Sequence, residues 1–104
     1  MRVKLNRPIC FFDLETTGAK VGKDRIVEIA ILRVDIDKTE SQKVWRINPE
    51  MEISSQAIQV HGITNDMIEN EPNFAYYSNE IYQFIKGCDS VSYTHLTLPT
   101  ILLV

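Results

Sequence analysis

Two closely spaced carboxylates, Asp13 and Glu15, are the residues of this sequence best suited to chemistry. They follow the apolar run Ile9-Cys10-Phe11-Phe12 and precede the turn signal Thr16-Thr17-Gly18. Side chains two apart on a strand project to one face, so a strand through this run makes the two carboxylates converge. Converging carboxylate oxygens suit hard divalent cations, two Mg²⁺ or Mn²⁺, with Asp13 able to bridge both ions and Glu15 to hold one. Ions held there would activate a water and stabilise the leaving oxygen of a phosphodiester. Taken alone, Asp-x-Glu at a strand end is more often a pair of solvated carboxylates, so the flanking sequence has to decide.

The elements that must position the pair are legible in the pattern. Ile9 to Asp13 is apolar and aromatic between polar flanks, as in a strand buried on both faces. Arg25 to Ile36 is rich in β-branched residues with loose alternation and reads as a long second strand. A polar hairpin turn at Lys38 to Gln42 leads to a third strand, Lys43 to Ile47, closed by Asn48-Pro49. Ser54-Ser55 predicts a short helix over Gln56 to Val60, broken at Gly62, and Thr64 predicts a second helical turn to Ile68. From Asn73 the residues Phe74, Tyr77, Ile81, Phe84 and Ile85 fall on one helical face, with Gly87 placed to end the helix. Strand, strand, strand, helix is the order of an α/β domain.

Composition narrows the function classes. A chain of 104 residues with 44% hydrophobic and 24% charged residues can build one modest core, which excludes low-complexity disorder. A net charge of −3 argues against a broad basic nucleic-acid face, so phosphate chemistry would need metal ions. Cys10 and Cys88 lack CxxC spacing, and the leading Met1 to Pro8 has no apolar secretory core. A cytoplasmic protein with reduced thiols and no membrane partner is therefore expected; the apolar Ile101 to Val104 is far too short for a span.

The segment Phe11-Phe12-Asp13-Leu14-Glu15-Thr16-Thr17-Gly18 resembles the first motif of the DnaQ-like, DEDD-type 3′–5′ exonucleases, the family of the proofreading epsilon subunit of bacterial DNA polymerase III. A companion follows: Asn48-Pro49, then Ile58-Gln59-Val60-His61-Gly62-Ile63-Thr64, ahead of Met67-Ile68 and Pro72-Asn73-Phe74. The resemblance covers Arg7 to about Asp89. It implies the N-terminal half of a ribonuclease-H-like exonuclease fold, a three-stranded antiparallel sheet plus helices. It implies Asp13 and Glu15 as catalytic metal ligands, with Leu14, Thr16 and Thr17 meeting the terminal nucleotide and Val60 and His61 lining the pocket for its base. The bland alternative for His61 is a loop histidine satisfied by backbone groups.

The family's later motifs, a further Asp in a His-Asn-x-x-Phe-Asp context and then a His or Tyr base with a last Asp, do not occur here. The chain as it stands should be nearly inactive, and the fourth strand that would pair with the first should be missing. After Asp89 no acidic residue, Lys or Arg appears. Val91 to Thr100 resembles a translation of the transposase adapter used in sequencing-library preparation, so residues 1–89 are read as exonuclease sequence and 90–104 as a non-native tail. Ser90 to Leu96 alternates well enough to lie beside Ile9 to Asp13 in place of the missing strand. His95 has no acidic residue after it and is read as accidental.

The function expected from these residues is 3′–5′ hydrolysis of single-stranded or frayed DNA ends, with a DNA polymerase as a partner. RNA trimming by the same fold, and a non-catalytic nucleic-acid or polymerase-binding module, are the competing readings. A phosphatase is disfavoured because Glu15-Thr16-Thr17-Gly18 departs from an Asp-x-Asp-x-Thr pattern. Lys20, Lys23 and Arg25 read as solvated surface, Trp45 as core, Tyr76 and Tyr77 as half-buried helix residues, and the two cysteines as small buried side chains.

Overall fold

The apolar run expected to form a buried strand is β1, Ile9–Thr16, in the computed structural model, which describes residues 6–20, 22–94 and 101–103, with side chains to residue 89. β2, Ile26–Val34, and β3, Glu40–Arg46, complete an antiparallel meander. β3 starts earlier than the polar turn suggested. Lys38 adopts φ 71°, and its N–H donates to the Asp35 carbonyl at 2.8 Å, closing the connection by Thr39. Ile47 lies just past β3, yet its N–H still donates to the Val27 carbonyl at 2.8 Å.

Three helices follow. α1, Ser55–His61, is capped by Ser54, whose hydroxyl accepts from the Ala57 N–H at 3.0 Å. It ends at Gly62, where φ 74° suits a residue without a Cβ. α2, Asn65–Ile68, is capped by Thr64, and α3, Phe74–Ile85, by Asn73, as the sequence indicates.

The sheet's two faces differ. On one, Cys10, Ile29, Ile31 and Trp45 are buried against Ile81 of α3, with Phe12, Leu14, Tyr77 and Phe84 packed around them. Full burial of a side chain the size of Ile31 contributes roughly 1.5–3 kcal/mol. The helix seam is Tyr77, Ile81 and Phe84, so the first turn overhangs. Phe74 is 46% exposed and Tyr76 72% exposed, which corrects the expectation of an inward Phe74 and a half-buried Tyr76. A second cluster, Val27, Ile53, Ala57, Ile63 and Ile68, holds α1 and α2 to the start of β2.

The edge of β1 expected to stand open is occupied. β4, Asp89–Thr94, pairs with β1 in parallel from Ile9↔Asp89 to Leu14↔Thr94, and β5, Ile101–Leu103, pairs antiparallel with β4. The sheet order is β3-β2-β1-β4-β5. The tail therefore lies along Ile9 to Leu14 as its alternation suggested, and the expected three-stranded sheet is extended to five strands. The Asp89 N–H donates to the Pro8 carbonyl at 2.9 Å, fixing where that pairing begins. His95, Leu96 and the rest of the adapter-like segment to Thr100, like Met1 to Leu5, lie outside the described residues.

Candidate functional site

β1 carries both carboxylates on the face away from α3. The register sets Phe11 opposite Leu32, Asp13 opposite Ala30 and Glu15 opposite Glu28. Glu15 is only 8% exposed and Asp13 is half-buried. The small Ala30 leaves space beside Asp13, where a shallow cavity of ≈ 230 Å³ is lined by Phe11, Phe12, Asp13, Ala30, Leu32 and Gln42. A β-bulge between Glu15 and Thr16 ends the regular pairing and redirects the strand as it leaves the site.

Asp13 and Glu15 form a hard oxygen donor pair that fits part of a divalent-cation site. Among the described residues no third His, Cys, Asp or Glu completes a metal-holding cluster. Glu28, across from Glu15, is engaged by Arg46 at 3.1 Å instead.

The turn after the bulge is built around Thr17, which is 1% exposed. Its hydroxyl donates to Asp24 Oδ1 at 2.7 Å and accepts from the Arg25 N–H at 3.0 Å. Its own N–H donates to the Arg25 carbonyl at 2.8 Å, and its carbonyl accepts from the Ser54 N–H at 2.9 Å. The other oxygen of Asp24 accepts from the Lys20 N–H at 2.8 Å. These bonds, that from Thr17 foremost, hold the Asp24 carboxyl below its ordinary range. A Cβ at Gly18 would stand 2.7 Å from Asp24 Oδ2, so any larger residue there would have to displace the Asp24 carboxylate.

His61 clamps the end of α1 to this turn. Its Nδ1 accepts from the Ile63 N–H at 3.0 Å, which leaves the ring proton on Nε2, and Nε2 donates to the Thr16 carbonyl at 2.9 Å. The Thr16 hydroxyl donates to the Gly18 carbonyl at 2.6 Å.

The residues implied as nucleotide contacts therefore part company. The polar groups of Thr17 and both ring nitrogens of His61 are engaged within the chain, so each anchors the site; for His61 this is the bland alternative. Leu14 points to the opposite face, into the α3 core, because strand side chains alternate. Thr16 spends its hydroxyl and carbonyl locally. Val60, on the last turn of α1, is 50% exposed. Lys20 and Lys23 are exposed, and Arg25 donates to the Pro49 carbonyl at 3.0 Å. Sequence reasoning overlooked Asp24 and Glu28. An acidic residue following a Gly-Lys turn was the available signal for Asp24, but its partner is set by the loop's path.

A family profile described as Exonuclease matches residues 10–95. The chain belongs to this DnaQ-like exonuclease family. It is 36% identical over 76 residues to the DNA polymerase III subunit epsilon of Treponema pallidum (strain Nichols), covering 73% of this chain and 35% of that protein. A solved structure of exonuclease X in complex with 5′ overhanging duplex DNA superposes with a TM-score of 0.63 at 28% identity, covering 82% of this chain and 48% of that one. An exonuclease I structure, in its complex with the SSB C-terminus, superposes with a TM-score of 0.69 at 20% identity over 86% of this chain and 21% of that one, a likeness of fold. The chain thus spans about a third of its epsilon relative and about half of exonuclease X. The family's ribonuclease-H-like fold agrees with the α/β architecture observed. No helix among the described residues is long and apolar enough to cross a membrane.

Proposed function

We propose that this chain is the first-motif half of a metal-dependent 3′–5′ exonuclease acting on single-stranded or frayed 3′ ends of DNA. The observation that carries this reading is the pair Asp13 and Glu15 on one face of β1, at a strand end braced by the His61 clamp and the Thr17–Asp24 turn. In the complete site Asp13 and Glu15 would supply two of the carboxylates that hold Mg²⁺ or Mn²⁺. Bound metal supplies water activation and charge stabilisation at the phosphodiester. The residues of this chain bury Glu15, half-bury Asp13 and fix the strand end against α1.

DNA is preferred over RNA because the epsilon and exonuclease X relatives are named for DNA polymerase and DNA. A polymerase partner and a cytoplasmic setting belong to the same proposal. So does the assignment of residues 90–104 to adapter read-through, with 1–89 as genuine exonuclease sequence. A long read of the source DNA across the Asp89 codon tests that assignment, and uninterrupted genomic codons through Val104 would overturn it.

The metal reading is tested by thermal melts of the full chain with and without millimolar Mn²⁺. A ligand bound only by the folded state raises Tm by mass action. The wild-type chain should gain stability with Mn²⁺, whereas Asp13→Ala and Glu15→Ala should not. An equal gain in all three proteins would refute these two residues as metal ligands.

A further inference from the structure

We propose that Cys10 and Cys88 are an oxidisable pair that closes to an intramolecular disulfide when the chain meets a small disulfide oxidant such as oxidised glutathione. Both cysteines are free, and both belong to the core cluster beneath α3. Cys10 is wholly buried on β1, three residues before Asp13, and Cys88 is partly exposed between Gly87 and β4. Gly87 adopts φ 81°, turning the chain out of α3, and the parallel pairing sets Ile9 opposite Asp89 and Cys10 opposite Ser90, so Cys88 lies diagonally across from Cys10 at the same core cluster. The Asp89 N–H bond to Pro8 and the Arg7–Asp89 ion pair at 3.6 Å fasten the segment after Cys88, and the Arg7 guanidinium donating to the Gly87 carbonyl at 3.3 Å fastens it before. The two thiols interact side chain to side chain, and that contact, after burial, pushes the Cys10 thiol up to about 12.

Burial assigns the roles. Cys88 can be reached from solvent, and its thiolate attacks one sulfur of oxidised glutathione, forming a mixed disulfide and releasing a glutathione thiolate. Cys10 then gives up its proton and attacks the Cys88 sulfur, expelling the second glutathione. Two protein thiols are oxidised to one disulfide, and one oxidised glutathione is reduced to two thiols. The second step is the slow one because Cys10 is held protonated. The product staples the strand bearing Asp13 to the exit of α3, closing a loop that spans most of the chain. Such a loop restricts the unfolded state strongly. Neither residue touches the carboxylate face, and Cys88 precedes the adapter-like tail, so the inference stands independently of the exonuclease reading.

The full 104-residue chain is titrated with oxidised and reduced glutathione at pH 8, quenched by acid and examined by intact-mass and peptide mass spectrometry. The expected product is a monomer lighter by two hydrogens, with one peptide pair linking Cys10 to Cys88. Its closure should be favoured about tenfold or more over the same chain in denaturant, as a prearranged pair requires. Tm should rise by about 10–20 °C over the reduced chain. Cys10→Ser should stop at the glutathione adduct on Cys88, and Cys88→Ser should resist modification altogether. Persistent glutathione adducts on the wild-type chain, an intermolecular dimer as the main product, or equal closure in the folded and denatured states would each overturn the proposal.

Discussion

Replacing Gly18 with alanine should cost about 2 kcal/mol, and the cost should disappear when Asp24 is also removed. The new Cβ would stand 2.7–2.9 Å from the three carboxylate atoms of Asp24, closer than real Cβ contacts allow. The carboxylate is the far end of a side chain and can swing away. In doing so it abandons the Thr17 hydroxyl at 2.7 Å and the Lys20 N–H at 2.8 Å. Lys20 is exposed and its N–H recovers a bond from water, but Thr17 is 1% exposed and its donor keeps only the long 3.6 Å contact with the Met51 sulfur. A buried donor left in that state costs about 1–3 kcal/mol, which sets the figure. For a chain of this size the change corresponds to a Tm lower by about 10 °C. Urea melts of wild type, Gly18→Ala, Asp24→Ala and the double variant close the cycle. A loss below about 0.5 kcal/mol, or the same loss with and without Asp24, would refute the link from Gly18 through Asp24 to Thr17.

Other outcomes follow from the same geometry. His61→Ala should lower stability by about 1–3 kcal/mol in chemical melts, since the Thr16 carbonyl and Ile63 N–H lose their shared partner. Ile31→Ala, at a fully buried position between β1 and β3, should cost about 2–5 kcal/mol, against about 1 kcal/mol for Ile31→Val. Because its folded-state pKa lies below the ordinary 3.8, Asp24 contributes stability above that value and loses it as pH falls further. The advantage of wild type over Asp24→Asn should therefore shrink in melts taken below about pH 4. Cys10 has the opposite sign of shift: its thiol is raised from 9.0 to about 12, so stability held below pH 9 is lost as pH climbs toward 12. Melts of wild type and Cys10→Ala between pH 8 and about 10.5 should show wild type losing ground, and parallel curves would contradict it.

The strands and helices were legible because their signals are local. Alternation of β-branched residues marks β2, the spacing of Tyr77, Ile81 and Phe84 marks α3, and Ser54, Thr64 and Asn73 mark the helix starts. The convergence of Asp13 and Glu15 was equally readable, since the two-residue period of a strand puts them on one face whatever surrounds it. Outward-turned Phe74 and Tyr76 were not, because the point where a helix overhangs its sheet depends on where the seam crosses the strands beneath.

The sequence by itself determined the element order from β1 through α3, the first-motif carboxylates and the absence of the later motifs' residues, all properties of neighbours along the chain. Only the tertiary structure decided how Thr17 and His61 are used. Their partners are Asp24, Arg25 and Ser54 for the one, Thr16 and Ile63 for the other. A hydroxyl or an imidazole carries the same donors and acceptors toward a nucleotide as toward a backbone. Which it meets is set by loop closure between α1 and β1, and no local pattern encodes that contact.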